Sequence, residues 1–179
     1  MRGLRPQFRG TMEKLVSLVE AENKVLSNIR KCLTDIRALV QDNPSSVLQG
    51  IDTLKTLRQA VYEDINQIQH EEMILRAVRF LQDSDFKGRE VDWYWNPRQT
   101  GDVSEPDLTG LISGEVAVSA EVTASENPVG TIDSRMASTL KKLNDMPGRK
   151  YYFVRTHTME QRAVTKVAKN RYFVAVRKI

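Results

Sequence analysis

Cysteine, histidine and long apolar runs are what this chain has least of, and each scarcity removes a class of function. A single cysteine, Cys32, excludes an internal disulfide and any cysteine-based zinc cage. It falls in an apolar helical stripe, where a small buried side chain is the expectation rather than a reactive thiol. Two histidines, His70 and His157, give little footing to a Ser-His-Asp mechanism. His70 lies among acids and reads as a surface residue, and His157 has no neighbouring His or Cys. No Gly-x-x-x-x-Gly-Lys or Gly-x-Gly-x-x-Gly occurs, so the common modes of nucleotide binding are not indicated. The basic start, Met1-Arg2-Gly3-Leu4-Arg5-Pro6, leads into no uninterrupted apolar stretch. That speaks against a signal peptide or a membrane span and makes a cytoplasmic setting the default expectation.

Charge is plentiful but unevenly spread. From Arg135 to Ile179 twelve Lys and Arg face two acids, Asp145 and Glu160, while residues 1–134 carry fifteen basic and twenty-one acidic residues. A basic C-terminal third is consistent with a polyanionic partner such as nucleic acid, and equally with a solvated surface. Along Thr158–Asn170, Arg162, Lys166 and Lys169 repeat at i, i+4 and i+7, a stripe that can track a phosphate backbone. Arg98, with Gln99 and Thr100, sits on a loop where it can reach a substrate.

The patterning divides the chain in two. Residues 12–41 read as one long helix, with Leu15, Leu18, Glu22, Val25, Ile29, Cys32, Ile36 and Leu39 at alternating spacings of three and four, widened by Val19, Leu26, Leu33 and Val40. Asp42-Asn43-Pro44 stops it. Ser46 and Gln49 form a capping box for a second helix running to about Leu81. The short connection makes an antiparallel hairpin over residues 1–82. Its wide apolar stripe needs a partner surface, and the expectation is a second copy, giving a homodimeric coiled-coil-like four-helix bundle, ahead of packing on the rest of the chain.

Residues 83–179 read as a mixed α/β domain. Val91–Trp95, Asp107–Ile112 and Glu115–Ala124 are strands, Thr131–Met146 a helix, and Lys150–Arg155 a buried strand. A helix capped by Thr158 with Gln161 and a final strand Tyr172–Val176 complete the order β-β-β-α-β-α-β. Alternate aromatics at Trp93, Tyr94 and Trp95 read as core or interface.

Within that domain two carboxylates stand out. On strand 115–124, Val116, Val118, Ala120 and Val122 point to one face, whereas Ala117, Ser119, Glu121 and Thr123 point to the other. An ionised Glu121 in an otherwise apolar strand requires compensation by metal, a basic residue or solvent. Asp107 opens the preceding strand, and paired carboxylates on adjacent strands suit a hard divalent cation. A two-residue turn at Ser113-Gly114 with regular pairing would oppose Asp107 to Ala120 and turn the two acids apart. An odd loop or a strand bulge is therefore expected if they converge.

Glu105-Pro106-Asp107 followed by Glu121-Val122-Thr123, in a hairpin–helix–strand context, resembles the PD-(D/E)xK (restriction-endonuclease-like) nuclease superfamily over residues from about 70 to 179. Thr123 stands where that family carries lysine. The resemblance implies a restriction-endonuclease-like core and Mg2+ (or Mn2+) held by Asp107, Glu121 and the Val122 carbonyl. It also implies a metal-dependent endonuclease acting on DNA phosphodiester bonds. In this family a preceding helix often adds an acid, for which Glu71, Glu72 and, less readily, Glu90 are candidates. A basic residue from helix 131–146 can replace the missing lysine: Arg135 first, then Lys142; a solvated or phosphate-contacting face is the plainer expectation for both, and the favoured one for Lys142. The alternatives are a nuclease fold that binds nucleic acid without cutting it, or a protein-interaction module whose working end is the hairpin.

Overall fold

The computed structural model describes residues 12–41, 43–97 and 105–179; Arg98, Gln99, Thr100 and the basic N-terminal residues lie outside them. The chain is an α+β protein: two long N-terminal helices, then a six-stranded mixed sheet with helices on both faces. No helix among the described residues is long and apolar enough to cross a membrane.

The chain enters through a short strand β1 (Glu13–Lys14) that pairs with Trp95 and Tyr94. The expected helix over 12–41 therefore starts late, at α1 (Leu18–Leu39). Ser17 accepts a hydrogen bond from the Glu20 amide at 3.1 Å, and Leu15 donates its amide to the Trp93 carbonyl at 2.8 Å. Ser17-x-x-Glu20 is itself a helix-start signal, and it overrides the apolar period that extends back to Leu15.

Helix α2 (Val47–Asp83) starts where expected, with Ser46 as its cap. Gln49 closes the turn differently from a simple box, accepting from the Ser45 amide and hydroxyl, both at 2.7 Å. The far half of α2 buries nothing fully. Its near half, from Glu71 to Leu81, lies in the main core with Ala21 and Val25 of α1.

Strands β2 (Asp92–Trp95), β3 (Leu108–Ile112) and β4 (Glu115–Thr123) form an antiparallel meander. Helix α3 (Thr131–Asn144) then crosses to β5 (Arg149–Val154), and α4 (His157–Asn170) crosses to β6 (Ala175–Lys178); both new strands run parallel to β4. One face of the sheet (Val118, Ala120, Val122, Tyr151, Phe153) packs on α2. The other (Tyr152, Val154, Val176) packs on α3 and α4 through Met136, Leu140, Leu143 and Met159. Trp93 and Trp95 are core residues.

Two boundaries fall elsewhere than the sequence pattern suggests. Thr156, not Thr158, caps α4, accepting from the Met159 amide at 3.2 Å and donating to the Glu126 carbonyl at 2.7 Å. That second bond ties the cap to the loop after β4, an anchor that Thr158 lacks. The last strand is β6 at Ala175–Lys178 rather than Tyr172–Val176, because α4 ends on a left-handed Arg171 and the Phe173 amide turns aside to the Asn144 side chain.

The β3–β4 hairpin holds the feature on which the site depends. Its turn is two residues long, Ser113 and Gly114, at φ 53° and 84°, and Ile112 pairs with Glu115. Both central residues at positive φ match the twist of a tight hairpin. Between Gly110 and Leu111 the register then shifts: Leu111 opposes Val116, but Gly110 opposes Val118. Ala117 is the extra residue of a β-bulge. The turn after α3 is packed against this bulge. Ser119 donates to the Pro147 carbonyl at 2.8 Å, and a Cβ on Gly148 would stand 2.7 Å from the Ala117 carbonyl carbon.

Gly148 and Gly88 have similar positive φ, 75° and 71°, but nothing lies within 4 Å of a Cβ at Gly88. Gly88→Ala is expected to cost about 1 kcal/mol for the backbone alone. Gly148→Ala adds the clash with the bulge and is expected to cost about 3 kcal/mol, the difference being read from urea unfolding curves.

Candidate functional site

Because of the bulge, Leu108 pairs with Ala120, and the next positions, Asp107 and Glu121, stand opposite each other. Both carboxylates are almost fully buried, with 2% and 3% of their surface exposed. Asp107 Oδ2 accepts a hydrogen bond from the Val122 amide at 2.8 Å. A residue's N–H and C=O leave a strand on the same edge. The Val122 carbonyl is thus directed towards the Asp107 side.

Glu121 is the electrostatic weak point. Burial first, and the Asp107 charge second, push its pKa well above the usual carboxylate range, while the ammonium of Lys142 pulls the other way. Lys142 reaches Glu121 from α3 and donates to the Glu105 carbonyl at 3.2 Å. The solvated face expected for Lys142 is thereby corrected: the helix turns it inward, where the uncompensated carboxylate holds it. Thr123 follows on the same face of β4. Burial, then the Glu121 charge, raises the Tyr152 pKa, so its hydroxyl stays protonated.

Arg135 does not make this contact. It is exposed, yet it lines a cleft of about 1170 Å³ bounded by the end of β4 (Glu121 to Ser125), by α3 (with Thr139) and by α2 (Tyr62 to His70). The cleft opens at the carboxyl end of β4, where the antiparallel meander gives way to parallel strands. In open α/β sheets, ligands favour such ends.

His70, read as a surface residue, is a site residue. Its Nε2 lies 3.3 Å from Asp107 Oδ1 and its side chain is only 15% exposed. The approach is oblique, neither ring nitrogen completing a well-directed hydrogen bond. Burial, the strongest influence, presses the His70 pKa down, but Asp107 and Glu71 together outweigh it and the net direction is up. No signal in the sequence identifies this pair: His70 and Asp107 are joined only by the packing of α2 over the sheet end.

The candidate helix acids go elsewhere. Glu71 is buried between the helices, bound by Asn28 at 2.9 Å and Gln67 at 3.5 Å. Glu72 pairs with Arg76 and Arg155, and Glu90 is exposed. The acids of α2 that line the cleft are Glu63 and Asp64. The basic stripe on α4 is partly neutralised as well: Arg162 and Lys166 grip Asp133 of α3 at 2.7 and 3.0 Å. These contacts hold the Asp133 pKa far below the usual range and lock α3 to α4. Lys169 alone of the stripe is left without an ion pair among the described residues.

Among the described residues no three His, Cys, Asp or Glu side chains are grouped as a metal cage. The available donors are the two buried carboxylates, Asp107 and Glu121, and the Val122 carbonyl, all hard oxygens, and the ionised form of Glu121 lacks full compensation. That set fits a hard dication that keeps several of its waters. No family model matches the chain, and no curated protein or solved structure matches it significantly.

The Glu121 shift sets the sign of a pH effect. A carboxyl whose folded pKa is raised stabilises the fold below its unfolded pKa, and that contribution is lost as pH rises through the folded pKa. In chelator-treated protein, stability should fall as pH rises above the ordinary Glu range. Glu121→Gln should flatten that fall. Lys142→Met should steepen it, costing about 3 kcal/mol at pH 8 and less at pH 5, as read from thermal melts.

Proposed function

We propose that this protein is a Mg2+- (or Mn2+-) dependent nuclease-like protein acting on DNA phosphodiester bonds. The observation that carries the reading is the bulge-set opposition of two buried carboxylates at the end of an open cleft, with a lysine on one of them. Asp107, Glu121 and the Val122 carbonyl would hold the ion, which when bound supplies an activated water and charge stabilisation at phosphate.

The chain's own residues have separable parts. Lys142 carries the positive charge that Thr123 lacks. It arrives from α3 instead of from β4, so the ammonium and the carboxylate pair still share one volume. His70 orients Asp107 and offsets part of its charge. Arg135, exposed on the cleft wall and without an ion pair among the described residues, suits a phosphate oxygen of a bound strand. Lys169 suits phosphates further along, whereas Arg98, expected to contact a substrate, lies outside the described residues.

The second reading, a nuclease fold that binds nucleic acid without cutting, draws on Thr123 and on the ion pair itself. A lysine that neutralises Glu121 can take the place of a metal as well as assist one. Either reading leaves a nucleic-acid partner, and neither requires a membrane.

Plasmid and single-stranded DNA incubated with Mg2+ or Mn2+ separate the two. Under the enzyme reading, Asp107→Ala and Glu121→Ala each lower cleavage at least about a hundredfold while DNA binding persists. Lys142→Ala lowers it by a similar factor, and Arg135→Ala weakens DNA binding with a smaller effect on the cleavage step. Salt-sensitive binding with no cleavage by the wild type selects the second reading. Absence of both activities removes nucleic acid from the account.

A further inference from the structure

The hairpin leaves an apolar face open. On α1, Val19, Leu26, Leu33 and Val40 recur every seven residues and are 67, 40, 45 and 55% exposed. On α2, Val47, Ile51, Leu54, Tyr62 and Ile65 are 82, 45, 65, 65 and 42% exposed. Neither set belongs to the core that Val25 and Ile29 of α1 share with Ile68 of α2. At 100° per residue each set lies on one flank of its helix. Since the helices are antiparallel, the two flanks face the same way and form one continuous surface.

Apart from Glu22, which falls within the α1 stripe and is paired to Arg79, the charges on that surface are basic. Arg30 and Arg37 alternate with the α1 stripe, and Lys55 and Arg58 with the α2 stripe. The three arginines are exposed and have no ion pair among the described residues. Asp52, at the border, is already engaged by Lys55 at 3.4 Å.

We propose that this face docks an acidic amphipathic helix of a partner protein, laid in the groove between α1 and α2 as a third helix. Seven-residue recurrence is the spacing that knobs-into-holes packing against another helix requires. The guanidinium groups flanking it select carboxylates on the incoming helix. A second copy is disfavoured because a two-fold interface would set this cationic face against itself. The described part of the face has no Trp or Phe, the side chains that usually anchor a helix in a lipid interface.

The test uses the full chain and two fluorescein-labelled synthetic helices of about four heptads, with Leu at the a and d positions. One carries Glu at the flanking positions and the other Lys. Anisotropy titrations should show the Glu helix binding at least about tenfold more tightly than the Lys helix. Arg30→Glu with Arg37→Glu should reverse that preference, and Leu26→Ser with Leu33→Ser should abolish both. Circular dichroism melts of both exposed-site variants should match the wild type. Four results each overturn the proposal: failure of the Glu helix to bind, equal binding of both helices, binding that survives both variants through the basic C-terminal third, or charge-independent self-association in sedimentation. Capture by phosphatidylserine vesicles in place of the Glu helix would assign the face to a lipid surface instead.

Discussion

One extra residue in β4 governs where the charged groups of this protein meet. Without Ala117, the tight turn at Ser113-Gly114 would carry regular pairing to the end of β3, and Asp107 would face away from Glu121. With it, both carboxylates enter the same buried volume, and the local structure must then answer for two negative charges. Lys142 is drawn inward, His70 closes on Asp107, and the Val122 amide is taken up by Asp107 instead of a strand partner. The turn at Pro147-Gly148 backs the bulge from the side of β5, so the register of one hairpin is fixed partly by a crossover that follows it in the chain.

The compensation is incomplete, and the imbalance has a direction. Two carboxylates meet one ammonium and one imidazole, and Glu121 remains displaced towards its protonated form. A buried pair that needs a cation is an expensive element in a core that would otherwise be apolar. The adjoining faces of the sheet show what the alternative looks like: Val118, Ala120, Phe153 and Leu140 are fully buried with no polar demand. Buried polarity along β4 is confined to Ser119 and to Glu121 beside the cleft.

The long antiparallel hairpin and the order of strands and helices were legible because periodicity and caps are local signals. Ser46, Gly114 and the β-branched run of β4 announce themselves within a few residues. The juxtaposition of Asp107 and Glu121 was legible only as a condition on register, since the alternation of β4 fixes faces but not pairing. What was hidden is non-local. The inward turn of Lys142, the Asp133 clasp that absorbs Arg162 and Lys166, and the reach of His70 to Asp107 depend on how whole helices seat on the sheet. Glu71 misled for the same reason: an acid on the correct helix faced α1, where Asn28 satisfied it.

Helix α2 runs unbroken for 37 residues, from the exposed tip of the hairpin into the core. At 1.5 Å per residue it is a rod of roughly 55 Å, and the stretch from Ile51 to His70 spans roughly 30 Å of it. An object seated at the tip and the imidazole beside Asp107 are therefore attached to the same stiff lever, with the seam against α1 as its support. Any tilt of the tip is geometrically a displacement of His70, and the mouth of the cleft, walled by Tyr62, Gln69 and His70, widens or narrows with it.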